Sequence, residues 1–84
     1  SHSLAFSLRH PKAGEYLHVM LNAYWETLEF ELPLPGVGER WHRVINTALA
    51  LSEAVCEIGF SQPYDKETYR VETRSCVVLI AQAV

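Results

Sequence analysis

Residues 3–9 read Ser-Leu-Ala-Phe-Ser-Leu-Arg, with Leu4, Phe6 and Leu8 alternating against small or polar neighbours. Period two marks a half-buried β-strand, because successive side chains point to opposite faces of a sheet. The alternation returns near 16–22, 28–32, 41–46, 68–73 and 75–81, with turn residues about every eight to twelve positions. Within 28–32, Leu28, Phe30 and Leu32 are expected inward, Glu29 and Glu31 outward. Pro33-Leu34-Pro35-Gly36-Val37-Gly38 is the strongest breaker, since proline cannot donate to a ladder and glycine permits positive φ. Residues 22–26 read as a hairpin connection, 61–66 as a polar turn around Pro63, and 68–73 with 75–81 as a closing pair of strands. Across 47–60, Leu51, Val55 and Ile58 recur at helical spacing, which predicts a long connection between sheets with a short helical turn. Six to seven short strands predict one all-β domain over 1–84, an antiparallel sandwich or small barrel, with 1–3 a linker or tag remnant.

Size limits the chemistry. A chain of 84 residues buries only about 60% of its unfolded surface, which excludes a barrel enzyme or a dinucleotide fold. The net charge of −3 supplies no basic stripe for nucleic acid. The 49% hydrophobic content excludes a disordered chain. No apolar run approaches the ~20 residues that span a bilayer, so no membrane partner is expected. With two cysteines, Cys56 and Cys76, and no leader-like start, the expectation is a cytoplasmic protein with reduced thiols.

The second strand places Tyr16, His18 and Met20 opposite Leu17, Val19 and Leu21, and the last places Cys76, Val78 and Ile80 opposite Val77 and Leu79. A sandwich sheet normally leaves its outer face polar. Strands apolar on both sides predict that something outside the chain covers one sheet, a partner domain or a second copy.

The chemical constellations are thin. Glu29 and Glu31 stand about 7 Å apart on one strand face, within the span of an inverting glycosidase pair, but two outward carboxylates beside core residues read as a solvent face. His2, His10, His18 and His42 have no paired-ligand spacing. His18 and His42 could face each other across strands, yet zinc would need two further ligands. No catalytic residue, cofactor site or metal site is assigned. Tyr24 and Trp25 are the candidate binding residues, because an exposed aromatic plane stacks on the C–H face of a sugar. The alternative for Trp25 is packing at the sandwich end, and Trp41, after the Pro/Gly loop, reads as core.

Four segments in order, 17–25 (LHVMLNAYW), 28–33 (LEFELP), 41–47 (WHRVINT) and 69–79 (YRVETRSCVVL), resemble the C-terminal β-domain of bacterial glycogen debranching enzymes of the isoamylase type. These belong to the α-amylase superfamily of glycoside hydrolases, and the resemblance runs from Leu4 to Leu79. Asn46-Thr47 stands where the family often has Asp-Thr, and Cys76 interrupts a plainer valine run. The resemblance implies a Greek-key β-sandwich that is itself non-catalytic and packs on a (β/α)₈ barrel hydrolysing α-1,6 branches of glycogen-like glucans. The barrel's carboxylates match no position here. The alternatives are an autonomous glucan-binding module using Tyr24 and Trp25, and a domain that self-associates as a homo-oligomer.

Overall fold

The computed structural model describes residues 3–10, 15–48 and 63–83. Seven strands run in chain order: β1 (Ser3–His10), β2 (Glu15–Asn22), β3 (Leu28–Glu31), β4 (Glu39–Asn46), β5 (Pro63–Tyr64), β6 (Thr68–Val71) and β7 (Ser75–Ala83). They form a five-stranded antiparallel sheet ordered β1-β2-β7-β4-β5 and a two-stranded sheet of β3 and β6. This is an all-β sandwich, as the period-two pattern predicts. The short strand β5 occupies part of the segment expected as a turn, pairing Tyr64 with Trp41 and Pro63 with His42. At a sheet edge the proline leaves no ladder bond unmade. Of the connection expected at 47–60, only Thr47 and Ala48 fall among the described residues, as a turn; the helical spacing lies outside them.

Cross-strand register assigns the faces, since directly paired residues share one. His18, Met20 and Asn22 of β2 align with Leu79, Val77 and Ser75 of β7 on the inner face. Phe30, Leu32, Tyr69 and Val71 pack on this face from the small sheet, and the core is Met20, Trp41, Val71, Val77, Leu79 and Ala81. Glu29 and Glu31 point out, as expected.

Two connections differ from the reading above. Residues 22–27 do not form a hairpin, and 68–83 is not a paired hairpin. β3 pairs with β6, Leu28 opposite Val71, so each segment turns a corner between sheets. The same polar and glycine-poor residues serve either geometry; the corner is fixed by Asn22. Its side chain, 1% exposed, donates through Nδ2 to the carbonyls of Glu26 (2.8 Å), Val71 (3.0 Å) and Glu72 (3.2 Å). Its Oδ1 accepts from the Tyr24 N–H at 2.9 Å. Two amide hydrogens thus serve three carbonyls, tying both corners together. On the second corner Arg74 takes φ 52°, and Ser75 Oγ donates to the Glu72 carbonyl at 2.6 Å.

A register shift between Arg43 and Ile45 leaves Val44 as a β-bulge. Five residues apart, Trp41 and Asn46 would face opposite ways on a regular strand; the bulge lets both turn inward. Trp41 is 2% exposed and its Nε1–H donates to the Pro33 carbonyl at 2.9 Å. Asn46 Nδ2 donates to the Tyr69 hydroxyl at 3.2 Å. An aspartate at that position would accept from the same hydroxyl, so the contact survives with its polarity reversed.

Replacing Asn22 by Asp keeps the shape but removes every donor, leaving three carbonyls facing a carboxylate. Urea unfolding of Asn22→Asp should show a loss of about 3 kcal/mol, and an unchanged midpoint would refute the corner assignment.

Candidate functional site

The outer face of the large sheet carries Leu4, Phe6 and Leu8 of β1, aligned with Leu21, Val19 and Leu17 of β2. These continue into Cys76, Val78 and Ile80 of β7 and, past the bulge, Ile45 of β4. The sequence pattern for β1 marked Leu4, Phe6 and Leu8 as the half-buried set. They are instead 54%, 38% and 54% exposed, and Leu21 is 37% exposed. Alternation identifies a strand but not which face meets the core. The two strands of the small sheet pack on the other side, where the core residues of β2, β7 and β4 lie. What β1 turns toward the inner side is Ser3, Ala5, Ser7 and Arg9, small or polar residues in register with the buried row of β2. Ile80 of the same outer face is 7% exposed, and burial pushes the thiol of Cys76, a free cysteine, above its ordinary value.

Trp25 is 71% exposed. Its ring meets Tyr24 edge-on, centroids 5.8 Å apart at 89°. The loop beneath is held by the Asn22 side chain, and by Thr73 Oγ1 donating to the Tyr24 carbonyl at 2.6 Å. Thr27 Oγ1 donates to Glu72 at 2.9 Å alongside. The structure thus brings both candidate binding residues together on one anchored loop. The polar residues that hold it, Asn22 and Thr73, are missed by sequence reasoning. The available signal is that Asn22 continues the buried row 16-18-20, a register in which a polar side chain needs internal partners.

The histidine pair does not form. His18 faces the interior, whereas His42 pairs with Ile80 and so lies on the outer face. Among the described residues no three His, Cys, Asp or Glu side chains stand close enough to hold a metal. The acidic side chains described are exposed, apart from half-buried Glu39. Thr68 Oγ1 donates to Glu29 at 2.7 Å, on the solvent side. A cavity of about 300 Å³ beside Pro33, Pro35, Trp41 and Tyr64 is rimmed by Arg40 and Lys66; both rim side chains are exposed.

The family model described as "Isoamylase, C-terminal" matches residues 1–80. The chain belongs to the isoamylase C-terminal domain family. It is 29% identical over 93 aligned residues to a protein named isoamylase from Flavobacterium sp, an alignment that covers 98% of this chain and 12% of that relative. The chain is therefore similar to a small part of a much longer protein. As a C-terminal domain of an isoamylase-type enzyme, it has the all-β architecture that the resemblance implied.

Among the described residues, one buried group in this isoamylase domain is titratable. His18 is 5% exposed; its Nδ1 lies 2.8 Å from Ser7 Oγ, its ring 6.0 Å from that of Trp41, and its Nε2 is buried without a partner. Burial lowers its pKa below the ordinary 6.5, because the charged ring would be desolvated. Between the two values the unfolded chain binds more protons than the folded one, so stability falls as pH drops below 6.5. Thermal melts should show that loss between neutrality and mild acid, and a smaller one in His18→Leu. Equal pH slopes for both proteins would contradict the assignment.

Proposed function

We propose that this chain is a non-catalytic supporting domain, covering and stabilising the catalytic domain of an isoamylase-type enzyme with the outer face of its large sheet. The observation that carries this reading is that face itself. Four of its aliphatic and aromatic side chains, Leu4, Phe6, Leu8 and Leu21, are between 37% and 54% exposed, and they form one continuous cross-strand patch. Contiguous apolar surface of this kind marks an interaction site, whereas scattered exposed residues do not. Half of the patch lies on β1, an edge strand of the large sheet, and the family is that of a C-terminal domain of a larger enzyme, which makes the catalytic domain the occupant proposed here.

The enzyme as a whole, on this reading, is a glycoside hydrolase acting on the α-1,6 branch linkages of glycogen-like glucans. Its carboxylates belong to the barrel, and the exposed acids of this chain serve solubility. A domain of this kind acts through stability and shielding, contributing no group to bond cleavage.

The test compares one substitution in two settings. Phe6→Lys places an ammonium in the middle of the patch. In the 84-residue chain, where Phe6 is 38% exposed, it should cost no more than about 1 kcal/mol. In the enzyme containing this domain it should cost about 2 kcal/mol or more, read as a lower melting temperature with a lower yield of active protein. The same small effect in both settings would refute docking through this face, and release of reducing ends from glycogen by the purified chain would refute its supporting role.

A further inference from the structure

We propose that the loop carrying Tyr24 and Trp25 is a carbohydrate platform, on which the indole of Trp25 stacks the C–H face of a glucose ring in an α-1,4-linked glucan. The choice of glucan rests on the proposed function; the platform rests on four features of the loop.

The first is the cost of leaving an indole in water. Trp buries more apolar area than any other side chain when it packs, yet Trp25 stands 71% exposed while Trp41 of the same chain is 2% exposed. The second is rigidity. The Asn22 amide binds the loop at both ends, to the Glu26 carbonyl and the Tyr24 N–H, and Thr73 Oγ1 holds the Tyr24 carbonyl from the neighbouring corner. Tyr24 braces the indole at a right angle. An aromatic ring fixed before the ligand arrives loses little conformational entropy on binding, which matters most for weak ligands such as sugars.

The third feature is the company the indole keeps. Glu26, Glu72, Thr73 and Arg74 are exposed, and the hydrogen bonds from Asn22 and Thr73 lay their two segments side by side. Exposed carboxylate and guanidinium side chains on the two corners that hold the aromatic plane suit a pyranose, which presents C–H bonds on one face and hydroxyls at its rim. A protein partner would favour the reverse, an aromatic anchor inside an apolar, water-excluding ring. This chain has such an apolar area on the outer face of β1 and β2, but the exposed residues of the two corners that hold Trp25 include the charged Glu26, Glu72 and Arg74. The fourth feature is that Trp25 is not needed by the fold: it is absent from the core and from the side chains packed against it.

The two tryptophans make the test internal. In the 15N-labelled chain, two indole N–H resonances are expected, from Trp25 and from Trp41, whose N–H is bonded to the Pro33 carbonyl. Titration with maltoheptaose should move the Trp25 resonance saturably at millimolar sugar and leave the Trp41 resonance in place. Trp25→Ala should keep the Trp41 resonance, showing an intact fold, and weaken binding about tenfold or more by the backbone signals of residues 24–27 and 72–74. Trp25→Tyr should bind within a few-fold of the parent. A Trp25 resonance unmoved by maltoheptaose, or sugar binding that survives in Trp25→Ala, would overturn the platform. So would a Trp25 resonance that moves only when the catalytic domain is joined. The titration needs no catalytic domain, so its failure leaves the supporting role of the sheet untouched.

Discussion

β7 sits at the middle of the five-stranded sheet with an apolar side chain on both sides of nearly every residue pair. Val77, Leu79 and Ala81 point toward β3 and β6; Cys76, Val78 and Ile80 point the other way, in register with Leu21, Val19 and Leu17. A central strand of this kind is stable only between two covers. One cover is internal, built by Phe30, Leu32, Tyr69 and Val71. The second is not completed at β1, where the outward side chains remain open to water. The proposed supporting role rests on that asymmetry: the inner face is dry, and the apolar outer face is uncovered at β1.

The interior is held by hydrogen bonds as much as by hydrocarbon. Asn22, Asn46 and Ser75 are all buried: Asn22 and Ser75 satisfy backbone groups where the chain passes between the sheets, and Asn46 bonds the Tyr69 hydroxyl of the small sheet. Buried amides left unpaired would be costly; paired, they specify which corner meets which. The consequence reaches the surface, because the amide that joins the two corners also sets the conformation of the loop presenting Trp25. Tyr64 adds a further tie between strands, its hydroxyl donating to the Thr68 carbonyl while its ring packs against Tyr69 at 4.7 Å.

Strand positions were legible in the residues because alternation and Pro/Gly punctuation are local signals. The face each strand presents was legible for β3, where Glu29 and Glu31 mark the solvent side. It was not legible for β2, since a strand apolar on both sides carries no label for solvent, and in β1 the alternation pointed the wrong way, because its apolar row Leu4, Phe6 and Leu8 is exposed; only the register across β1, β2 and β7 decides. Corners between sheets were read as hairpins for a related reason: the five residues between β2 and β3 and the three between β6 and β7 fit both, and the discriminating bonds of Asn22 reach carbonyls 49 and 50 residues away. The bulge at Val44 is likewise invisible to strict alternation, although it alone lets Trp41 and Asn46 share the interior. Tyr24 and Trp25 stood out in the sequence as adjacent aromatics at a break in periodicity. Their anchoring by Thr73 is a long-range property that no local pattern encodes.

Hydroxyl-radical footprinting of Phe6, Leu8 and Leu21 addresses the uncovered face most directly. Modification rates would be compared between the isolated chain and the intact enzyme in which the domain occurs. The account predicts ready modification in isolation and protection of several-fold or more in the intact enzyme, with exposed Leu34 and Val37 on the Pro/Gly loop serving as controls. Equal rates for the three residues in both settings would contradict it.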